Sequence, residues 1–187
     1  MAKDSRSRMV VTTAKLLQRQ GYHGTGLNQI VAVADAPKGS IYFHFPGGKE
    51  QLTAEAIAQS ATYLDGVLQR HAADSAVDAL DSYLAGMAAW LEHTDFREGC
   101  PIATVALEVG ATSAMIGDAC AAAFDRLIER VAGWIEADGF TREAAYDRAF
   151  VVYTAIEGAL VFAKVKRSID PINRLRAALP ELIGSPA

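Results

Sequence analysis

The sequence predicts an all-α chain of about nine helices, a short three-helix head followed by a larger helical body. Three observations predict it. Apolar residues recur at three- and four-residue spacing through Ala-rich stretches, strand-like alternation is scarce, and Gly, Pro and capping residues punctuate the chain at helix-length intervals. No internal repeat is visible.

Taken in order, the first helix runs from about Ser5 to Arg19, with Met9, Val10, Thr13, Leu16 and Leu17 facing inward and Gly21 as its stop. Two short helices follow, about Leu27 to Ala34 and Lys38 to His44, joined by the tight turn Asp35-Ala36-Pro37. Pro46-Gly47-Gly48 breaks the chain before a long helix from Lys49 to about Arg70. The rest divides into helices near Val77 to His93, Ile102 to Gly110, Ser113 to Asp138, Arg142 to Lys166 and Pro171 to Leu182. Asp74-Ser75, Gly99-Cys100-Pro101, Asp138-Gly139 with Thr141, and Asp170-Pro171 separate them. The expected division is a head over residues 1–48 and a body over 49–187. No clean linker is expected, because the helix that starts at Lys49 belongs to both.

The 187 residues are 51% hydrophobic and 21% charged, the balance of a folded globular protein and not of a disordered one. Cys100 and Cys120 lack metal-site or disulfide spacing and read as buried thiols. The amino terminus lacks the apolar core of a secretory signal, and no window is apolar enough to span a membrane, so the expectation is cytoplasmic. The net charge of −4 is unevenly spread. Residues 1–50 hold seven basic and three acidic side chains, whereas the remainder holds eleven and nineteen. A basic head suits phosphate, and an acidic body discourages indiscriminate adhesion to it.

The informative segment is Gly21-Tyr22-His23-Gly24-Thr25-Gly26-Leu27-Asn28-Gln29-Ile30 through Pro37-Lys38-Gly39-Ser40-Ile41-Tyr42-Phe43-His44-Phe45. Leu27, Ile30, Val31 and Ala34 form one face of the first short helix, and Ile41 and Phe45 the inner face of the second. Such a pair packed on a third helix is a helix-turn-helix, whose second helix fits the DNA major groove. Lys38, Gly39, Ser40, Tyr42, Phe43 and His44 then face outward, and Thr25 and Lys49 stand at helix starts where a phosphate is welcome, with the Thr25 hydroxyl as a cap. Taken singly, the aromatic residues read as core and His44 as an ordinary surface histidine; spacing, turn and charge together favour DNA.

From Thr25 to Ile30, Lys38 to Phe45 and Lys49 to Leu52, the sequence closely resembles the amino-terminal signature of the TetR/AcrR family, over about residues 5–55. The Phe-Pro-Gly-Gly-Lys-Glu-Gln-Leu run and Gly99-Cys100-Pro101 look like its LmrA/YxaF-like subgroup. The resemblance implies backbone contacts by Thr25, Ser40, Tyr42, His44 and Lys49, and approach to bases by Lys38, Gly39 and Phe43. It also implies a homodimer, and a body that binds a small-molecule effector and releases operator DNA. The chain departs from the family pattern in three places: Asp35 stands where Gly is frequent, Pro37 where a Ser cap is usual, and Gly48 lengthens the loop before Lys49.

For the body, the expected ligand-facing residues are Met87, Trp90, Phe96, Val105, Glu108, Phe124, Trp134 and Tyr153, apolar or amphipathic groups suited to a flat hydrophobic molecule. Glu108 and Glu157, set in apolar helices, are placed either to orient a polar or cationic ligand or to face water or the partner subunit. The expected dimer seam comprises Val152, Ile156, Ala159, Leu160, Ala163, Leu175 and Leu179, with closure of the protomer core as the competing reading. No nucleophile elbow, zincin motif, phosphate loop or dinucleotide fingerprint is present, so neither an enzyme nor a cofactor is expected. The alternative that stays open is a helical ligand-binding or interaction protein whose head does not bind an operator.

Overall fold

The computed structural model describes residues 2–37 and 39–186, with the side chains of residues 2–4 left out. Among the described residues there are nine helices and no strand. They are α1 (Ala2–Gln20), α2 (Leu27–Val33), α3 (Ser40–His44), α4 (Gly48–Gln69), α5 (Ala76–His93), α6 (Pro101–Val109), α7 (Ala114–Ala137), α8 (Arg142–Lys166) and α9 (Asp170–Ile183). The punctuation acts as its chemistry directs. Gly21, at φ +70°, closes α1 with its amide on the Leu17 carbonyl. The hydroxyls of Ser75 and Thr141 cap α5 and α8 through the amides of Asp78 and Ala144. The Cys100 sulfur accepts from the Ala103 amide at the start of α6, ahead of Pro101 in the first turn. No described helix is long and apolar enough to cross a membrane.

The chain clusters into two compact units, neither of which follows the expected division at residue 48. One unit is the chain up to Thr62 together with Cys100–Phe124; the other is Tyr63–Gly99 together with the chain from Asp125 onward. All three boundaries therefore fall beside or inside a helix, and α4 contributes to both units. The unexpected members of the first unit are α6, which packs on α1, and the first part of α7. Counted over the sequence of that unit, seven basic side chains face six acidic ones, because Glu55, Glu108 and Asp118 now belong with the head. The excess positive charge seen along the first fifty residues is thus largely balanced in space.

The first unit closes around Met9 and Leu17 of α1, Ile30 of α2, Ile41 of α3, Phe45 and Leu52, all buried, with Ile102 and Val105 of α6 buried as well. The turn between α2 and α3 places Asp35 at φ +49°, a left-handed backbone that Asp accepts more readily than most residues. Arg8 of α1 holds that turn, donating to the Ala34 carbonyl at 2.9 Å and to the Asp35 carbonyl at 2.8 Å. In the second unit α9 packs on α5 and α8. Leu80, Leu84, Ile156, Leu175 and Leu179 are among the buried residues of these three helices. Ion pairs help tie the unit together. Asp65, nearly buried, accepts from Arg126 at 2.9 Å and from Arg130 at 2.6 Å, and Asp81 receives both arms of Arg176 at 2.8 Å.

Candidate nucleic-acid interface

The helix pair α2 and α3 presents one short, exposed surface. Ile41 and Phe45 anchor α3 inward, which forces the intervening Tyr42 and Phe43 outward, with 64% and 77% of their surface exposed. The Phe43 ring stands edge-on to His44 at 5.0 Å. Gly39 caps α3 with an ordinary right-handed backbone, and a Cβ built there would meet nothing within 4 Å. Neither backbone strain nor internal crowding asks for glycine at that position, and close approach by a molecule from outside would.

The remaining expected contacts are placed less simply. Thr25 is fully buried, and its hydroxyl donates to the Gly21 carbonyl at 2.7 Å. The cap of α2 is Gly26, without a side-chain bond, so the expected Thr25 cap is corrected: the hydroxyl closes the preceding turn. Helix α3 begins at Ser40, two residues later than expected, because Pro37 offers its carbonyl to both the Ser40 amide and the Ser40 hydroxyl. His44 is half-buried, with Nε2 3.2 Å from the Ser5 hydroxyl. The Lys49 ammonium donates to the Tyr22 carbonyl at 2.7 Å and lies 4.0 Å from the Tyr22 ring centroid. Burial of that ammonium lowers its pKa, and the Glu108 charge opposes the shift. Lys38 lies outside the described residues. Arg6, Arg8 and Lys49 are thus bonded within the first unit; Arg6 grips Glu55 through both carboxylate oxygens.

The expected ligand-facing residues are divided between the units. Met87, Trp90, Phe96 and Trp134, all half-buried, and the buried Tyr153 belong to the second. Val105, Glu108 and Phe124 belong to the first, where Val105 is fully buried. Glu108 does not serve as a free carboxylate in an apolar lining: its Oε2 accepts the His23 amide at 2.8 Å. The signal missed in the sequence was Gly21, whose notch the carboxylate fills.

The residues of the expected dimer seam lie mostly inside the protomer. Val152, Ile156, Leu160, Ala163, Leu175 and Leu179 are buried inside the protomer, and Ala159 is half-buried. That stripe closes the core, the competing reading of the same residues. Helix α8 carries a second apolar stripe, Phe150, Val151, Val161, Phe162 and Val165, each more than half exposed. Thr154 and Gly158 lie between them on the same face. Residue type alone did not separate the stripes, because α8 is apolar around most of its circumference.

Comparison with known proteins places this arrangement. Residues 10–56 match the family model described as bacterial regulatory proteins of the tetR family, and residues 76–178 match the C-terminal domain of LmrA/YxaF-like transcriptional regulators. The chain belongs to the TetR family of transcriptional regulators. It is similar to an uncharacterized HTH-type transcriptional regulator of Mycobacterium tuberculosis, 33% identical over 95% of this chain and 93% of that protein. It is also similar to the HTH-type transcriptional regulator LmrA of Bacillus subtilis, 30% identical over 96% and 97%. Among solved structures, reduced NemR of E. coli superimposes with a TM-score of 0.85 at 23% identity, covering 98% of this chain and all of that one. This last likeness concerns the fold.

Proposed function

We propose that this regulator binds operator DNA as a homodimer, most simply as a repressor, and that a small hydrophobic molecule bound by the body releases it. The observation that carries the reading is the outward pair Tyr42 and Phe43 on α3, beside the open Gly39. Exposed aromatic side chains on a five-residue helix gain nothing in water, whereas the major groove offers hydrogen-bonding edges and thymine methyl groups. Ser40, His44 and Lys49 flank them, each with an internal bond, so in this reading they hold register on the phosphates while α3 reads the sequence. Lys38 belongs to the same surface in the sequence reading.

A single short head makes few base contacts, and two heads at fixed spacing read successive grooves together. The face proposed for pairing two copies is the outer stripe of α8, Phe150, Val151, Val161, Phe162 and Val165. Gly158 within that stripe meets nothing where a Cβ would stand, which leaves room for a helix of the second copy to approach closely. Met87, Trp90, Phe96, Trp134 and Tyr153, all of the second unit, are the candidate effector contacts. Effector release requires that the ligand bind better to the arrangement that misplaces the heads. The proposed setting is the cytoplasm, and the reading assigns the chain no catalytic step.

The test is fluorescence anisotropy of the full-length protein against the duplex upstream of its own gene and against a scrambled duplex, at two salt concentrations. Tight, sequence-selective binding by two protomers per site is expected. Equal weak binding to both duplexes, lost at the higher salt, would favour a ligand-binding protein without an operator.

A further inference from the structure

The turn that follows α1 is held by two opposite charges acting on one peptide group. The carbonyl of Tyr22 accepts from the Lys49 ammonium at 2.7 Å, and the N–H of the same peptide bond, on His23, donates to the Glu108 carboxylate at 2.8 Å. A cation at the oxygen and an anion at the N–H both polarise that peptide in the same sense, so each hydrogen bond strengthens the other. The three parts come from the first turn of α4, the α1–α2 connection and the last turn of α6. Glu108 is 85 residues from His23 in sequence.

The local shape is built around this carboxylate. Gly21 stands at φ +70°, and a Cβ there would lie 1.8 Å from Glu108 Oε1, so any larger residue would expel it. The Lys49 ammonium also lies over the Tyr22 ring, 4.0 Å from its centroid, which holds it at the turn. None of these groups is needed merely to end α1, since the Gly21 amide already bonds the Leu17 carbonyl and Thr25 closes the rest of the turn.

We infer that Glu108 is a positioning residue which, through the Tyr22–His23 peptide and Lys49, couples α6 to the DNA-binding head. The inference rests on the proposed operator binding. A shift of α6 withdraws the carboxylate from the His23 amide, weakens the bond from Lys49 and loosens the start of α4 next to the DNA-facing helix. By reciprocity, fixing the head on DNA restrains the turn and, through Glu108, the last turn of α6.

The test is hydrogen exchange by mass spectrometry on the full-length protein, alone and with a duplex enriched from a random pool by the wild type. In the wild type, DNA is expected to slow exchange both in the head and in residues 104–109. In Glu108→Ala the head still responds, while the response of residues 104–109 is lost. Glu108→Gln keeps an acceptor of the same shape without the charge and retains part of it, which makes it the second variant should the alanine protein fold poorly. Lys49→Met breaks the other end of the relay and abolishes the same response. A purely structural role for Glu108 would lower melting temperature and leave the DNA-dependent response of α6 in place. That result, or no response of α6 in the wild type, would overturn the inference. Failure to enrich any duplex would remove the operator-binding reading itself, and this inference with it.

Discussion

Helices α3 and α8 both hold large apolar side chains in solvent, and they differ in what surrounds those side chains. On α3, Tyr42 and Phe43 sit among a serine, a histidine and a bare glycine on five residues of helix. On α8, Phe150, Val151, Val161, Phe162 and Val165 form a stripe four turns long with Thr154 and Gly158 as its small members. The first surface mixes apolar area with hydrogen-bonding groups at the density of a groove reader. The second is a continuous apolar seam, which suits a helix with the same pattern. Exposure alone therefore identifies neither; the chemistry between the exposed residues separates the surface proposed for DNA from the one proposed for a second copy.

The largest expected effects separate the two stripes of α8. Phe162→Glu, on the outer stripe, should leave the helical fold and melting temperature nearly intact while light scattering reports a monomer. Leu160→Glu, two positions earlier in the chain but only 5% exposed within the protomer, should cost about 4 kcal/mol or more and leave little folded protein. Dimers from Phe162→Glu would mean that the seam lies elsewhere.

On α3 the comparison sharpens at Phe43. If its ring meets a thymine methyl group, replacing one thymine per half-site by deoxyuridine should weaken wild-type binding by about 1 kcal/mol per contact. The same replacement should change nothing in Phe43→Ala. Equal losses in both proteins would show that Phe43 does not read the methyl group.

A smaller effect, away from both surfaces, concerns Asp65. Its hydrogen bond with Arg130, then that with Arg126, holds its pKa below the ordinary carboxylate value despite the opposing pull of burial. The folded state thus binds this proton more weakly than the unfolded chain does. The stabilisation is complete above the unfolded pKa of about 4 and disappears as pH falls through the lower, folded value. Asp65→Asn should cost about 2 kcal/mol at pH 7, and the gap between its melting temperature and that of the wild type should close as the pH is taken below about 4. A gap independent of pH would assign the loss to packing.

Much of this protein is written locally. The spacing of Met9, Val10, Thr13 and Leu17, the stop at Gly21, the caps at Ser75 and Thr141 and the left-handed Asp35 are nearest-neighbour properties, and the expected helix boundaries agree with the structure to within three residues. The outward turn of Tyr42 and Phe43 was equally legible, because Ile41 and Phe45 fix the inward face of so short a helix. What only the tertiary structure decided depends on residues far apart in the chain. Residue types cannot tell which of two apolar stripes on α8 is covered by α9, nor that α6 joins the head and offsets its charge. That Glu108 answers the His23 amide and not a ligand follows from α6 packing on α1. Sequence periodicity determines which residues share a face, and packing determines what that face meets.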